Sequence, residues 1–599
     1  MSRLVDRSPL LLLSLLLPLA ACAKPDGSAI PPAPPTGVGQ SGGADGAGET
    51  AADRRDDAIP DVGGDAVVQR IVQLGHTDNQ VGALLTELTT TFGPRLTGSH
   101  NLMGAERWCR DRFRAWGLTA ELERWGEVAV GFDRGPWSGR IVGETPVELT
   151  FTTPAWTPGA FGPVRGAAVA YPTSTKALAA GGDTWEGAWV LRPRKTGIPD
   201  KLEEKIDAGL HAKGIAGFVT RARDDEGLVH TSGRSSVTWD ELPADPKVVL
   251  QAAQYDQIVA RLDAHEPVQL EFSIDNRLFR GPVPLHNVIA EIPGTDKADE
   301  FVVVGGHIDS WDGAMGANDN GTGIATTMEA ARLLHAAGAK PRRTIQFMLW
   351  SGEEQGLLGS RGYVDAHPEQ MDKISAVLVH DGGTNYLSGL AVTPEMMPQM
   401  QQVVAPLTKL APADRPFALT ETTSLRPGGS DHSSFIDKGV PGFFWGQEGR
   451  SDYDFVHHTQ HDNLDNVIDE YQRHSAMVVA IAAYQLANLD ELLDRRNSAP
   501  VPRRRMGVSF SGTKVDSVAS DGVAKKAGLK PGDVVVEVEG KAVEGRWGAA
   551  KAVQDGGPVK KVTVERGGKR LELTLDWSDD PGEAERQARR SARGPKGGE

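Results

Sequence analysis

Residues 301–323 read FVVVGGHIDSWDGAMGANDNGTG, and residues 343–356 read RTIQFMLWSGEEQG. Each stretch opens with an apolar run of strand length and closes in a cluster of acidic residues, joined in the first by a histidine. Between them GTGIATTMEAARLL carries helical spacing, so the whole is a strand–helix–strand unit. Open α/β sheets place ligand sites beyond the carboxyl ends of their strands. The stretch therefore predicts an α/β fold, a mostly parallel sheet flanked by helices, with a polar site at one edge.

The polar residues at that edge suit a metal. Alternate side chains of a strand share a face, so His307 can bind a cation while Asp309 accepts the other ring N–H or orients the site. Asp319 follows among small residues that let the backbone turn tightly, and a carboxylate has two oxygens with which to bridge two cations. An Asp before a helix also serves as an N-cap. Glu353 and Glu354 are adjacent and repel unless a cation or a proton separates their roles. One can bind metal while the other takes a proton from the attacking water. Asp381 ends the next apolar run, ISAVLVH, and His458 lies in His458-Thr459-Gln460-His461-Asp462. Each has an ordinary reading alone, but successive strands deliver an acid or a histidine at the same end.

Composition narrows the chemistry. The 599 residues exceed one ordinary core. A net charge of -16 and a pI near 5.5 supply no basic face for nucleic acid. Cys22 and Cys109 are the two cysteines, too few for a disulfide framework or a thiolate cluster, so a metal must be held by nitrogen and oxygen. Cys109, in AERWCRDRF, reads as a buried, inert thiol.

Along the chain, residues 1–22 combine Arg3 and Arg7 with a short leucine-rich run and Leu19-Ala20-Ala21-Cys22. This resembles a bacterial lipoprotein signal, cut before Cys22, which is then lipidated. It implies an exported protein anchored in the cell envelope, on the periplasm-facing outer membrane. Residues 23–65 are rich in Pro, Gly, Ala and Asp and read as a disordered tether. Helical patterns follow up to Gly93-Pro94 and again over 101–116. Residues 135–280 carry short strand-like runs broken by Gly and Pro, with helices near 201–213 and 255–264. Through Ala212-Lys213-Gly214-Ile215-Ala216-Gly217-Phe218-Val219 this segment resembles the protease-associated domain, a β-rich insertion that covers or shapes an active-site entrance. Residues 506–577, with Met506-Gly507-Val508-Ser509-Phe510 and Ala527-Gly528-Leu529-Lys530-Pro531-Gly532-Asp533, resemble a bacterial PDZ domain, which takes C-terminal peptides by strand addition. Residues 578–599 read as a disordered tail.

The order His307-x-Asp309, Asp319, Glu353-Glu354, Asp381, His458-Thr459-x-x-Asp462 resembles the co-catalytic zinc exopeptidases, the family of bacterial aminopeptidases and carboxypeptidase Q. GHIDSWDGAMGANDNGTG is most similar to the carboxypeptidase Q branch. The resemblance spans 67–493, with a peptidase domain over 66–134 and 281–497. It implies two zinc ions, one held by His307 and Asp381, the other by Glu354 and His458, bridged by Asp319. It further implies Glu353 as general base and Asp309 as the residue orienting His307. His457 competes with His458, which the His-Thr-x-x-Asp spacing favours. Asn320 stands where many members have a second Asp. The implied activity is hydrolysis near a free peptide terminus, at the amino end, with a carboxypeptidase or dipeptidase as alternative. A glutaminyl cyclase of similar fold and a non-catalytic scaffold using the PDZ-like unit fit the full ligand set less well.

Overall fold

The computed structural model describes residues 59–583 apart from 64, 500–502, 544, 555 and 581. The leader with Cys22, most of the tether and the end of the tail lie outside the described residues. Order begins earlier than the composition suggests. Val62 is buried in the main core, and Pro60 accepts a hydrogen bond from the Gln69 side chain, so residues 59–65 belong to the folded domain rather than to the tether. Likewise Glu583, placed in the tail by sequence, is buried and ion-paired to Arg504 at 2.7 Å.

Three N-terminal helices come first: α1 (Ala66–Thr77), α2 (Val81–Phe92) and α3 (His100–Ala115). Asp65 caps α1 by accepting from the Val67 and Val68 N–H groups, and Ser99 caps α3 through Leu102 N–H. Cys109 is fully buried, and burial pushes its thiol up, as expected of an inert core residue.

The central sheet is built from β1 (Thr119–Val142), β2 (Gln269–Ile292), β3 (Lys297–His307), β4 (Arg343–Trp350), β5 (Ile374–Val379) and β6 (Gly442–Phe444). Strands β6, β5, β3 and β4 pair in parallel in that order, whereas β4–β2 and β2–β1 are antiparallel. The sheet is mixed. Every residue of β4 and β5 is buried, as befits strands covered on both faces. Helix α4 (Thr322–Ala336) and helix α5 (Asp469–Ala487), buried on almost every side, pack together in the main core.

β1 and β2, each 24 residues long, stay paired from Thr119↔Glu291 to Val142↔Gln269. They run from the central sheet into the inserted segment, so the boundaries expected at 135 and 280 fall inside continuous strands. Within the insertion both helices stand where the sequence places them. Its strands Ala160–Ala170, Trp189–Arg192, Gly217–Arg221 and Lys247–Leu250 pair in parallel, with helices Asp200–Ala212 and Ala252–Asp263 among them.

Residues 503–583 form an antiparallel sheet around Met506, Val515, Val535, Val562, Leu575 and Trp577. This agrees with the PDZ-like expectation.

Helix α5 carries a pH liability. His474 is buried and stacked on Tyr386 at 3.9 Å, and burial lowers its pKa to about 3. Its unfolded pKa is about 6.5, so below that pH the unfolded chain takes up a proton that the folded chain refuses. Stability is therefore lost as pH falls from about 6.5 towards 3, by up to about 1.4 kcal/mol per pH unit for this one group. His474→Phe is expected to flatten that slope. Denaturant midpoints at pH 7.5 and 4.5 check it: the variant gains on wild type at the lower pH. An unchanged gap between them contradicts the assignment.

Candidate metal centre

The polar residues singled out by sequence converge at the carboxyl ends of the parallel strands. His307 closes β3, Glu353 and Glu354 follow β4, Asp381 follows β5, and Asp319 sits in the turn Ala317–Gly321 that starts α4. His458 arrives on a loop after the short helix Tyr453–Val456. His307 Nε2 lies 3.2 Å from Asp319 Oδ1 and 3.4 Å from Asp381 Oδ1. His458 Nε2 lies 3.2 Å from Asp319 Oδ2 and 3.0 Å from Glu354 Oε2. Asp319 thus spans the two histidines, and two ligand groups share it. His457 Nε2 is 4.0 Å from Asp319 Oδ2, so the geometry favours His458 over its neighbour.

The electrostatics are those of a cation site. Burial and the Asp319 charge raise Glu354 to about 8, and Glu353 is held well above the usual carboxylate range by burial with Asp381 and Asp431 nearby. Burial alone would lower the two imidazoles, yet Asp381 and Glu353 raise His307 well above its ordinary value, and Glu354 and Asp319 raise His458 to about 10. Asp319, although buried, is held low by its hydrogen bonds to His307 and His458. Protons on the imidazoles balance the carboxylates in this arrangement. A divalent cation replaces such protons, so metal affinity weakens as pH falls. Glu354 Oε1 is buried without a hydrogen-bond partner, an acceptor that a cation would satisfy. Nitrogen and carboxylate donors of this kind suit zinc.

Several residues hold the ligands in place. Arg95, fully buried, donates to the carbonyls of Gly93, Ile308, Met315 and Gly316, and so clamps the loop joining His307 to Asp319. Asp462, which the spacing quoted without a role, accepts from the backbone N–H groups of Asn318 and Asp319. Burial raises its pKa to about 7. Asn320 turns away from the cluster: its amide donates to His380 O and accepts from Gly323 N. An ionised Asp there could only accept.

One expected contact is replaced. The ring N–H at His307 Nδ1 faces the backbone carbonyl of Asp309 at 3.0 Å, while the Asp309 carboxylate stands 3.7 Å away. That carboxylate instead accepts from Thr97 Oγ1 at 2.7 Å and from Glu353 N at 3.2 Å. Asp309 therefore orients the histidine through its main chain and the Glu353 loop through its side chain. Sequence reasoning missed Thr97, Asp431 and Tyr453. Asp431 is fully buried and pushed by burial to about 7, and Tyr453 lines the cleft. Neither Thr97 nor Tyr453 follows an apolar run of the kind that marked the ligands.

The cluster opens into a cleft of about 480 Å³, lined by Glu353, Glu354, Asp381, His457 and His458 on the polar side and by Leu357, Phe444 and Tyr453 on the other. Set beside known proteins, the domain that builds this cleft has clear relatives. Residues 287–483 match peptidase family M28. Residues 494–576 match the PDZ domain. Both agree with the resemblances read from sequence. Mouse carboxypeptidase Q is 35% identical over 35% of this chain and 43% of its own length. Leupeptin-inactivating enzyme 1 of Streptomyces exfoliatus is 31% identical over 34% of this chain and 48% of its own. The chain thus spans less than half the length of these curated relatives. A peptidase M28 precursor from Shewanella amazonensis is similar in structure, with a TM-score of 0.53 and 25% identity over 72% of this chain and 97% of that one. All the ligand candidates lie inside the M28 match, whereas α1 to α3, with Arg95 and Thr97, lie outside it.

Proposed function

We propose that this protein is a zinc-dependent exopeptidase that removes residues from the free amino end of peptides. His307 and Asp381 would hold one zinc, Glu354 and His458 the other, with Asp319 shared between them. Such a pair, when bound, would supply Lewis acidity for a water molecule and for the scissile carbonyl. Glu353 accepts the proton and passes it to the leaving amine, acting as general base and then general acid. Its high proton affinity in the buried cleft suits both roles. Asp309 keeps Glu353 in place through its backbone N–H.

The observation that carries the choice of end is the cleft lining. Among the described residues that line it, none is lysine or arginine, and four are carboxylates. A terminal carboxylate is ordinarily taken by a fixed cation such as an arginine fork, and the lining supplies none; three of its carboxylates are the ligands assigned above and the fourth is Glu353, so the choice of the amino end rests on the missing fork. Identity to carboxypeptidase Q supports a second reading, action on dipeptides or at the carboxyl end. A pentapeptide decides between them. With free ends it is expected to shorten from the amino terminus by mass spectrometry, amidation of its carboxyl end is expected to have little effect, and acetylation of its amino end is expected to stop cleavage. Loss of residues from the carboxyl end of the acetylated peptide contradicts the proposal.

We further propose that the chain is exported and lipid-anchored through Cys22 at the periplasm-facing outer membrane, with the PDZ domain taking the carboxyl end of a peptide. The support is the Leu-Ala-Ala-Cys motif and the PDZ match.

A further inference from the structure

The inserted segment meets the metal centre through residues 227–235. Val229 N–H donates to Gln460 Oε1 at 2.8 Å, and Gln460 Nε2 donates back to Gly227 O at 3.1 Å. Thr231 N–H donates to His458 O at 3.0 Å, and His230 and Thr459 form an antiparallel bridge. Further along, Ser235 N–H donates to Gln355 Oε1 at 2.9 Å. Val229, Thr231 and Ser235 are all buried, and the bonds to Gln460 and Gln355 are part-buried. The two loops gripped in this way carry His458 and Glu354. Trp311 adds to the grip: it packs against the insertion residues around Trp156 and sets its ring edge-on to His458 at 5.9 Å.

The other half of the centre is held differently. His307 and Asp381 sit at the ends of β3 and β5, which pair with each other, and β3 also pairs with β4. Their positions are fixed by the sheet. His458 has no strand behind it: its loop follows a four-residue helix and its backbone is left-handed, with φ of 60°. Such a residue keeps its conformation only when its surroundings impose it, and the insertion supplies that constraint.

We propose that residues 227–235 of the insertion are part of the metal centre, with Gln355 and Gln460 as positioning residues. Through them the insertion fixes the cation position held by Glu354 and His458, and not the one held by His307 and Asp381. The inference rests on the two-zinc reading above. The insertion is then a structural requirement of one half of the centre, beyond any role as a cover for the cleft.

The test is zinc binding by the full-length protein under competition from a chelator, with the unfolding midpoint measured on zinc-free samples. Wild type is expected to hold two zinc per chain. Gln355→Met with Gln460→Met keeps side-chain volume but removes the side-chain amide contacts to Gly227, Val229 and Ser235, leaving the backbone bond from Thr231 to His458 in place. It is expected to weaken one zinc by roughly 10–100-fold, the range for outer-shell partners of ligands, and to leave the other unchanged. Adding His458→Ala to that pair should weaken the same position further and leave the tight zinc in place, whereas adding Asp381→Ala should release the tight zinc. Should the double variant fold poorly, Gln355→Glu against Gln355→Met gives the same contrast, because Glu keeps the acceptor for Ser235 N–H. Equal weakening of both zinc ions, or no weakening of either, overturns the inference. Wild type that holds no zinc overturns instead the functional reading on which it rests.

Discussion

Replacing Glu353 by glutamine is expected to abolish hydrolysis while leaving two zinc ions bound. Glutamine matches glutamate in size and keeps the backbone N–H that Asp309 holds. It cannot take up the proton of the attacking water. General acid–base catalysis contributes typically 10²–10⁴-fold, and a fall in kcat of at least that order is expected. Zinc content should not change, because Glu354 rather than Glu353 makes the contact to His458. The pairing of measurements matters. Lost activity with lost zinc would make Glu353 a ligand, and retained activity would remove it from the mechanism.

Asp319→Ala is expected to have the broader effect. One carboxylate oxygen lies 3.2 Å from His307 and the other 3.2 Å from His458, so a single side chain serves both ligand groups. Its removal takes a ligand from each cation at once. It also takes away the charge that the buried imidazoles and any cations are balanced against. Affinity for both zinc ions is expected to fall by more than about 100-fold, beyond the effect of an outer-shell change. His458→Ala, by contrast, should weaken one zinc. If Asp319→Ala and His458→Ala gave the same stoichiometry by metal analysis, Asp319 would not be a bridge.

The candidate ligands were legible in the sequence because parallel strands are written as apolar runs, and a polar residue closing such a run stands out. His307, Glu354 and Asp381 were found in that way. Between His457 and His458 the His-Thr-x-x-Asp spacing favoured His458, whose Nε2 lies at 3.2 Å from Asp319 against 4.0 Å for His457. The insertion was drawn at 135–280, where the pattern changes to short strand-like runs; Gly135-Pro136 and Gly281-Pro282, residues that usually interrupt strands, stand at its two ends. In the folded chain the ladder between β1 and β2 shifts register at Arg134/Trp137 and at Val128/Val130, so bulges absorb the breakers and both strands continue. The Asp309 contact was misread for a different reason. A His-x-Asp pattern gives side-chain spacing, but whether a ring N–H meets a carboxylate or a carbonyl depends on how the backbone turns after the strand. The grip of residues 227–235 on the ligand loops was invisible, since it joins the Val229 N–H to the Gln460 side chain from 231 positions away, and nothing local to either residue marks the pairing.

The central claim is that two metal ions, placed by these strand ends, make the cleft a peptidase. Titrating chelator-stripped protein with zinc while following hydrolysis of an unblocked aminoacyl anilide tests it directly. Activity is expected to be absent without zinc and to reach its plateau at two equivalents per chain, with Glu353→Gln silent throughout. Hydrolysis that is already full in stripped protein, or that stays absent at every zinc level on free-amino peptides, contradicts the account.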